Sequence, residues 1–208
     1  MAELGLFPLP LVLVPTERIP LHIFEPRYRE LIGECVERGE EFGLVLDAGD
    51  GAVHEVGTRA AVAQVLEVLD DGRMNIIVEG GKRFRLLELT SGRSFATGIV
   101  EEVVDDESEP RDEEDAARAV ELFNELASVS GADVDVPERL SPLLDFELTA
   151  RVDFGVEAKQ ELLATTSPRA RMAKLVELLE RALETVKLER ELQARASGNG
   201  KVAPLDVD

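Results

Sequence analysis

The chain has 208 residues, 44% hydrophobic and 32% charged, the proportions of one folded domain or two small ones rather than a disordered polymer. Its 43 acidic against 23 basic residues give a formal net charge of −20, which repels phosphate backbones and argues against nucleic acid as a partner. One cysteine (Cys35), two histidines (His22, His54) and no tryptophan exclude a disulfide scaffold, a multi-cysteine metal site and an aromatic platform for single strands.

The apolar start, Leu4 to Val14, lacks a basic leader and is broken by Pro8, Pro10 and Pro15. It reads as neither a signal peptide nor a membrane span, so the expected location is the cytoplasm, with no membrane partner. Phe7 to Val14 is read as a proline-marked edge strand. Glu25-Pro26 then opens a helix, with Tyr28, Leu31, Ile32, Cys35 and Val36 at helical spacing and Gly39 as its stop. Further strands are expected at Phe42–Leu46, Thr58–Leu69, Arg73–Glu79, Lys82–Leu89 and Phe95–Val104. Asp70-Asp71-Gly72 and Gly80-Gly81 are read as the turns between them. About six strands and one helix suffice for a small barrel over residues 1–105.

Residues 101–115 hold ten acids and one base, Arg111, and residues 106–115 are read as a solvated acidic linker that ends on a helix N-terminus. Beyond it the apolar period becomes helical. Ala116, Ala119, Val120, Phe123, Leu126 and Ala127 form one helix, and Ser141-Pro142 opens another. A short helix covers Glu157 to Ala164, and Ser167-Pro168 caps a long last helix to about Arg195. The helical bundle thus spans 116–195, and 196–208 reads as a disordered tail.

Catalytic patterns are missing. Gly80-Gly81-Lys82-Arg83 lacks the spacing and hydroxyl of a phosphate loop, and no Gly-x-Ser-x-Gly elbow occurs. Cys35 lies on the apolar face of its helix and reads as an inert core residue. His22 is expected to be a hydrogen-bonded structural residue. His54, near Asp47, Asp50 and Glu55, reads as part of a solvated loop rather than a metal site. Arg73, Lys82, Arg83 and Arg85 form a basic strip, read as pairing across strands with Glu67, Glu79 and Glu88. No catalytic residue, metal ligand or cofactor is assigned.

Two runs, Phe7-Pro8-Leu9-Pro10-Leu11-Val12-Leu13-Val14-Pro15 and Ile19-Pro20-Leu21-His22-Ile23-Phe24-Glu25-Pro26-Arg27-Tyr28, resemble the N-terminal, substrate-binding domain of the Lon ATP-dependent proteases. Glu55-Val56-Gly57-Thr58, Asp71-Gly72-Arg73-Met74-Asn75-Ile76, Gly80 to Glu88, Lys159 to Leu163 and Arg171-Met172 continue the resemblance to about residue 185. It implies an α+β protein: an N-terminal PUA-like β pseudobarrel followed by a C-terminal helical bundle with a long last helix. It further implies a free-standing, non-catalytic module that binds unfolded or tagged polypeptides, as an adaptor or regulator of proteolysis beside a protease or chaperone. ATP hydrolysis and peptide cleavage do not carry over, because the Walker motif and protease serine are absent. The expected peptide site is an apolar groove between barrel and helices, lined by Leu21, Phe24, Pro26 and Tyr28, with Arg27 near a peptide carboxylate. The alternative for Phe24 and Tyr28 is that they pack the first helix onto the sheet. Two other functions stay open: a small-molecule-binding protein, and an assembly protein that uses the long C-terminal helix.

Overall fold

A computed structural model describes residues 2–49 and 51–198. Asp50 and the part of the expected tail from 199 to 208 lie outside the described residues. The N-terminal half contains β1 (Ala2–Leu9), β2 (Arg18–Ile23), α1 (Pro26–Arg38), β3 (Phe42–Gly49), β4 (Ala52–Val53), β5 (Val56–Val68), β6 (Met74–Thr90) and β7 (Thr97–Glu102). The helical half contains α2 (Glu113–Ser130), α3 (Leu144–Thr149), α4 (Val156–Ala164) and α5 (Pro168–Gly198).

The strands form one highly bent sheet in the order β1-β7-β6-β5-β3-β4. It closes because β1 also pairs with β3, in parallel, from Leu6 opposite Gly43 to Leu9 opposite Leu46. The alternation of Leu4, Leu6, Val45, Phe84 and Val100 fills one part of the interior. Helix α1 plugs another with Tyr28, Leu31, Ile32 and Cys35 against Phe7, Phe42, Ala60, Ile76 and Val78. Proline at the first turn and Gly39 at φ 65° bound α1, as its sequence predicts.

Two expected strand boundaries are corrected. Arg73–Glu79 and Lys82–Leu89 are one strand, β6, and Gly80-Gly81 is not a turn but a point inside it. Glycine is needed at 80 for close approach: a Cβ there would lie 2.2 Å from the Val14 carbonyl oxygen. The Gly80 amide donates to the Glu17 carbonyl, and its own carbonyl accepts from Thr16. The first strand ends at Leu9 rather than Val14, and Arg18–Ile23 forms an additional strand that pairs with β6 alone. The Asp70–Gly72 hairpin forms as read, with Gly72 at φ 82°.

The helical half packs α2 and α5 together through Ala119, Leu122, Phe123, Leu126, Met172, Leu175, Leu179 and Leu183. Asp112 caps α2 by accepting from the Glu114 and Asp115 amides, and three acids occupy its first turn, where the helix dipole favours them. The Ser167 hydroxyl accepts from the Ala170 amide at the start of α5.

Buried charge joins the two halves. Arg83 donates to the carbonyls of Leu163 and Thr165 and to Asp105. Arg171 donates to Asp145, to both oxygens of Asp105 and to the Thr165 carbonyl. Both guanidiniums lie near the Phe146 ring, 5.2 and 4.5 Å from its centroid. The basic strip is therefore not matched as its sequence suggested: Arg83 is a junction residue, Arg73 pairs with Asp71, Lys82 with Glu102, and Arg85 with Glu55. The acidic segment after β7 is also fixed here, because Asp105 is its anchor and the Asp106 amide donates to Thr166.

Candidate functional site: an apolar face beside strand β2

Strand β2 runs antiparallel to the first part of β6, with Leu21 opposite Ile76 and His22 opposite Asn75. The far side of β6 pairs with β5, so Leu21, Ile76 and Val65 stand in one row and His22, Asn75 and Glu67 in the next. The second row is polar and linked: His22 Nδ1 and Asn75 Oδ1 are 2.6 Å apart, and Asn75 Nδ2 donates to Glu67 at 2.8 Å. His22 is thus hydrogen-bonded, as expected, but on an exposed surface.

Large apolar side chains are exposed at this end of the sheet. Phe24 is 59% exposed, Leu66 52% and Val68 62%. The Phe24 ring stacks on His22, with 6.0 Å between centroids and 20° between planes. Pro20, Leu21, His22, Leu66, Glu67, Asn75 and Ile76 line an open cleft of about 560 Å³. Val68 stands in the row of Met74 and Ile23, on the other side of the sheet, so the exposed apolar side chains beside the cleft are Phe24 and Leu66, of the kind a protein-binding or peptide-binding face presents.

The five residues singled out from sequence divide. Phe24, Pro26 and Arg27 are exposed, Leu21 is half-buried, and Tyr28 is 5% exposed with its ring 4.0 Å from that of Phe7. Tyr28 therefore packs α1 into the barrel, while Phe24 does not. Burial pushes the Tyr28 hydroxyl above its ordinary pKa, partly offset by Arg27. The Arg27 guanidinium, over the Tyr28 ring, is already paired with Glu25 at 2.8 Å. The groove between barrel and helices exists, about 420 Å³, but Pro15, Thr16, Gly81, Val104, Leu143 and Phe146 line it instead of these five. Leu66 and Val68 were not singled out in the sequence. Their signal is the run Val65-Leu66-Glu67-Val68, whose apolar residues break period-two alternation and cannot all face a core.

Cys35 is buried, and burial followed by Glu40 and Glu34 pushes its thiol up to about 11, far from a nucleophile's range. Among the described residues, no His, Cys, Asp or Glu cluster has the makings of a metal site, and no helix is long and apolar enough to cross a membrane.

The architecture is thus a closed sheet joined to a helical bundle, with exposed apolar side chains beside β2. Residues 3–181 match the family model described as the ATP-dependent protease La (LON) substrate-binding domain, and the chain belongs to that family. It is 30% identical over 204 residues to a Lon protease of Anaeromyxobacter dehalogenans, covering 90% of this chain and 24% of that protein. A Lon protease 2 of Myxococcus xanthus is 28% identical over 203 residues, with the same coverage. The chain thus spans about a quarter of the length of these curated relatives. Among solved structures, a Lon N-terminal domain protein from Xanthomonas campestris superposes with a TM-score of 0.68 at 25% identity, over 85% of this chain and 98% of that one. The N-terminal domain of a Mycobacterium avium complex Lon protease shares the fold, with a TM-score of 0.67 at 18% identity over 86% and 98% of the two chains.

Proposed function

We propose that this chain is a non-catalytic module that binds exposed apolar segments of unfolded or tagged polypeptides, in the cytoplasm, as an adaptor or regulator beside a protease or chaperone. The observation that carries the reading is the exposed apolar surface beside β2: Phe24 and Leu66 are both more than half exposed, Leu66 lines a cleft with Pro20, Leu21, His22, Glu67 and Asn75, and Phe24 stacks on His22 beside it. Holding such side chains in water is unfavourable, and covering one large ring contributes about 1.5–3 kcal/mol. Membership of a substrate-binding family supports the same reading. The binding residues are Leu21, Phe24 and Leu66, with Pro26 and Arg27 at the rim. Tyr28 supports them from below.

The test is a titration of a permanently unfolded, fluorescently labelled polypeptide against the purified chain, without ATP. Saturable binding is expected, and Phe24→Ala weakens it roughly tenfold or more, while the melting temperature stays near that of the parent because the ring is exposed. Binding unchanged in both Phe24→Ala and Leu66→Ser would refute this placement of the site.

A further inference from the structure

Strand β5 is covered on both sides only as far as Ala60. Thr58, Arg59 and Ala60 pair with Leu44, Gly43 and Phe42 of β3. From Ala61 to Val68 the strand keeps β6 as its one strand partner. Among the described residues, no turn, cap or side chain forms a hydrogen bond with the other, outer main-chain edge of 61–68. Eight residues at roughly 3.3 Å each make an open edge about 26 Å long.

Open edges are normally blunted by proline, charge or β-bulges. Strand β2, the other free edge of this three-stranded arm, follows the rule: Pro20 removes a donor and Arg18 carries charge. The segment Ala61-Val62-Ala63-Gln64-Val65-Leu66-Glu67-Val68 has no proline and a single charge, and only its two register shifts interrupt it. Unpaired main-chain groups on an apolar strand fit one chemistry, an extended chain that adds as a further strand. Two features choose between occupants. A net charge of −20 opposes a second copy and favours a segment with basic flanks. Register shifts at Val62/Gln64 and Val65/Glu67 break the edge into short steps, which a flexible chain follows and a preformed strand of another folded copy does not.

We propose that the outer edge of β5, Ala61–Val68, takes an apolar polypeptide segment with flanking lysines or arginines as an added β-strand. This rests on the polypeptide-binding reading above and specifies its mode: main-chain pairing along β5, with client side chains reaching Leu66 and the cleft.

The probe is a short fluorescent peptide of alternating Val and Thr with two lysines at each end. Two analogues carry N-methyl groups on alternate residues, one on the odd set and one on the even set. Charge and side chains are identical in all three, so non-specific attraction cancels. An added strand turns only one set of amides toward β5. One analogue should bind at least roughly tenfold more weakly, from the loss of several main-chain bonds, and the other should stay close to the parent. Val65→Lys, at an exposed position, should weaken the parent peptide and leave the melting temperature unchanged. Equal binding of parent and both analogues, equal weakening of both, or a parent peptide that fails to bind while the unfolded polypeptide binds, would each overturn strand addition and leave polypeptide recognition standing. Failure of the unfolded polypeptide as well would overturn both.

Discussion

Replacement of Arg171 by methionine tests how the two halves are held. The Arg171 side chain is 2% exposed and donates to Asp145, 6% exposed, and to Asp105. Methionine keeps most of the apolar stem against Phe146 but leaves Asp145 buried without its cation. Breaking a buried pair in this way costs about 3–5 kcal/mol, chiefly because the remaining charge is uncompensated. Arg83, 5% exposed, still holds Asp105 and keeps the junction from separating outright. Urea unfolding of the parent and of Arg171→Met, followed by circular dichroism, measures the difference. The pH dependence gives a second reading. Burial pushes the Asp105 carboxyl up, but Arg171 and Arg83 outweigh it and hold it below the usual aspartate value. Its folded pKa is depressed, so its stabilisation is complete above the ordinary aspartate value and lost as pH falls through the lower folded one. Removing Arg171 weakens that depression, so the variant should lose less stability on acidification below about pH 4 than the parent. A change under about 1 kcal/mol at neutral pH, the range of an exposed ion pair, would refute the reasoning.

Gly80→Ala places a methyl against the Val14 carbonyl, two backbone elements that cannot both yield, and is expected to cost about 1–3 kcal/mol or more in chemical denaturation. An unchanged midpoint would show that β6 has room there. Cys35, with its thiol pushed up to about 11, should react with a disulfide reagent only as fast as the protein unfolds. Fast native labelling at pH 8 would show the thiol to be accessible and ionised.

The helices were legible because their signals are local. Pro26 and Gly39 bound α1, Ser167-Pro168 opens α5, and acids crowd the first turn of α2. What escaped the sequence depends on distant partners. Gly80-Gly81 looks like a turn, yet the glycine answers to Val14, far away in the chain. Pro20 obscured β2, although a proline is tolerated there because the strand is an edge. Arg83 looked like one of a surface strip, and only the fold brings it to Asp105 and the α4–α5 loop. At the candidate site, Phe24 stood out within a specific run, but Leu66 lies across β6 from β2 and is joined to the site only by sheet register.

The face proposed to receive polypeptide is formed by β2 and the outer part of β5. Its most direct test is amide footprinting, by chemical-shift mapping of the isotopically labelled chain titrated with an unfolded polypeptide. Shifts are expected to concentrate at Leu21 to Phe24 and along Ala61 to Val68, with the buried junction around Arg171 undisturbed. Shifts confined instead to the cleft between α2 and α5, around Phe123, Phe154 and Ala182, would contradict it and move recognition to the helical half.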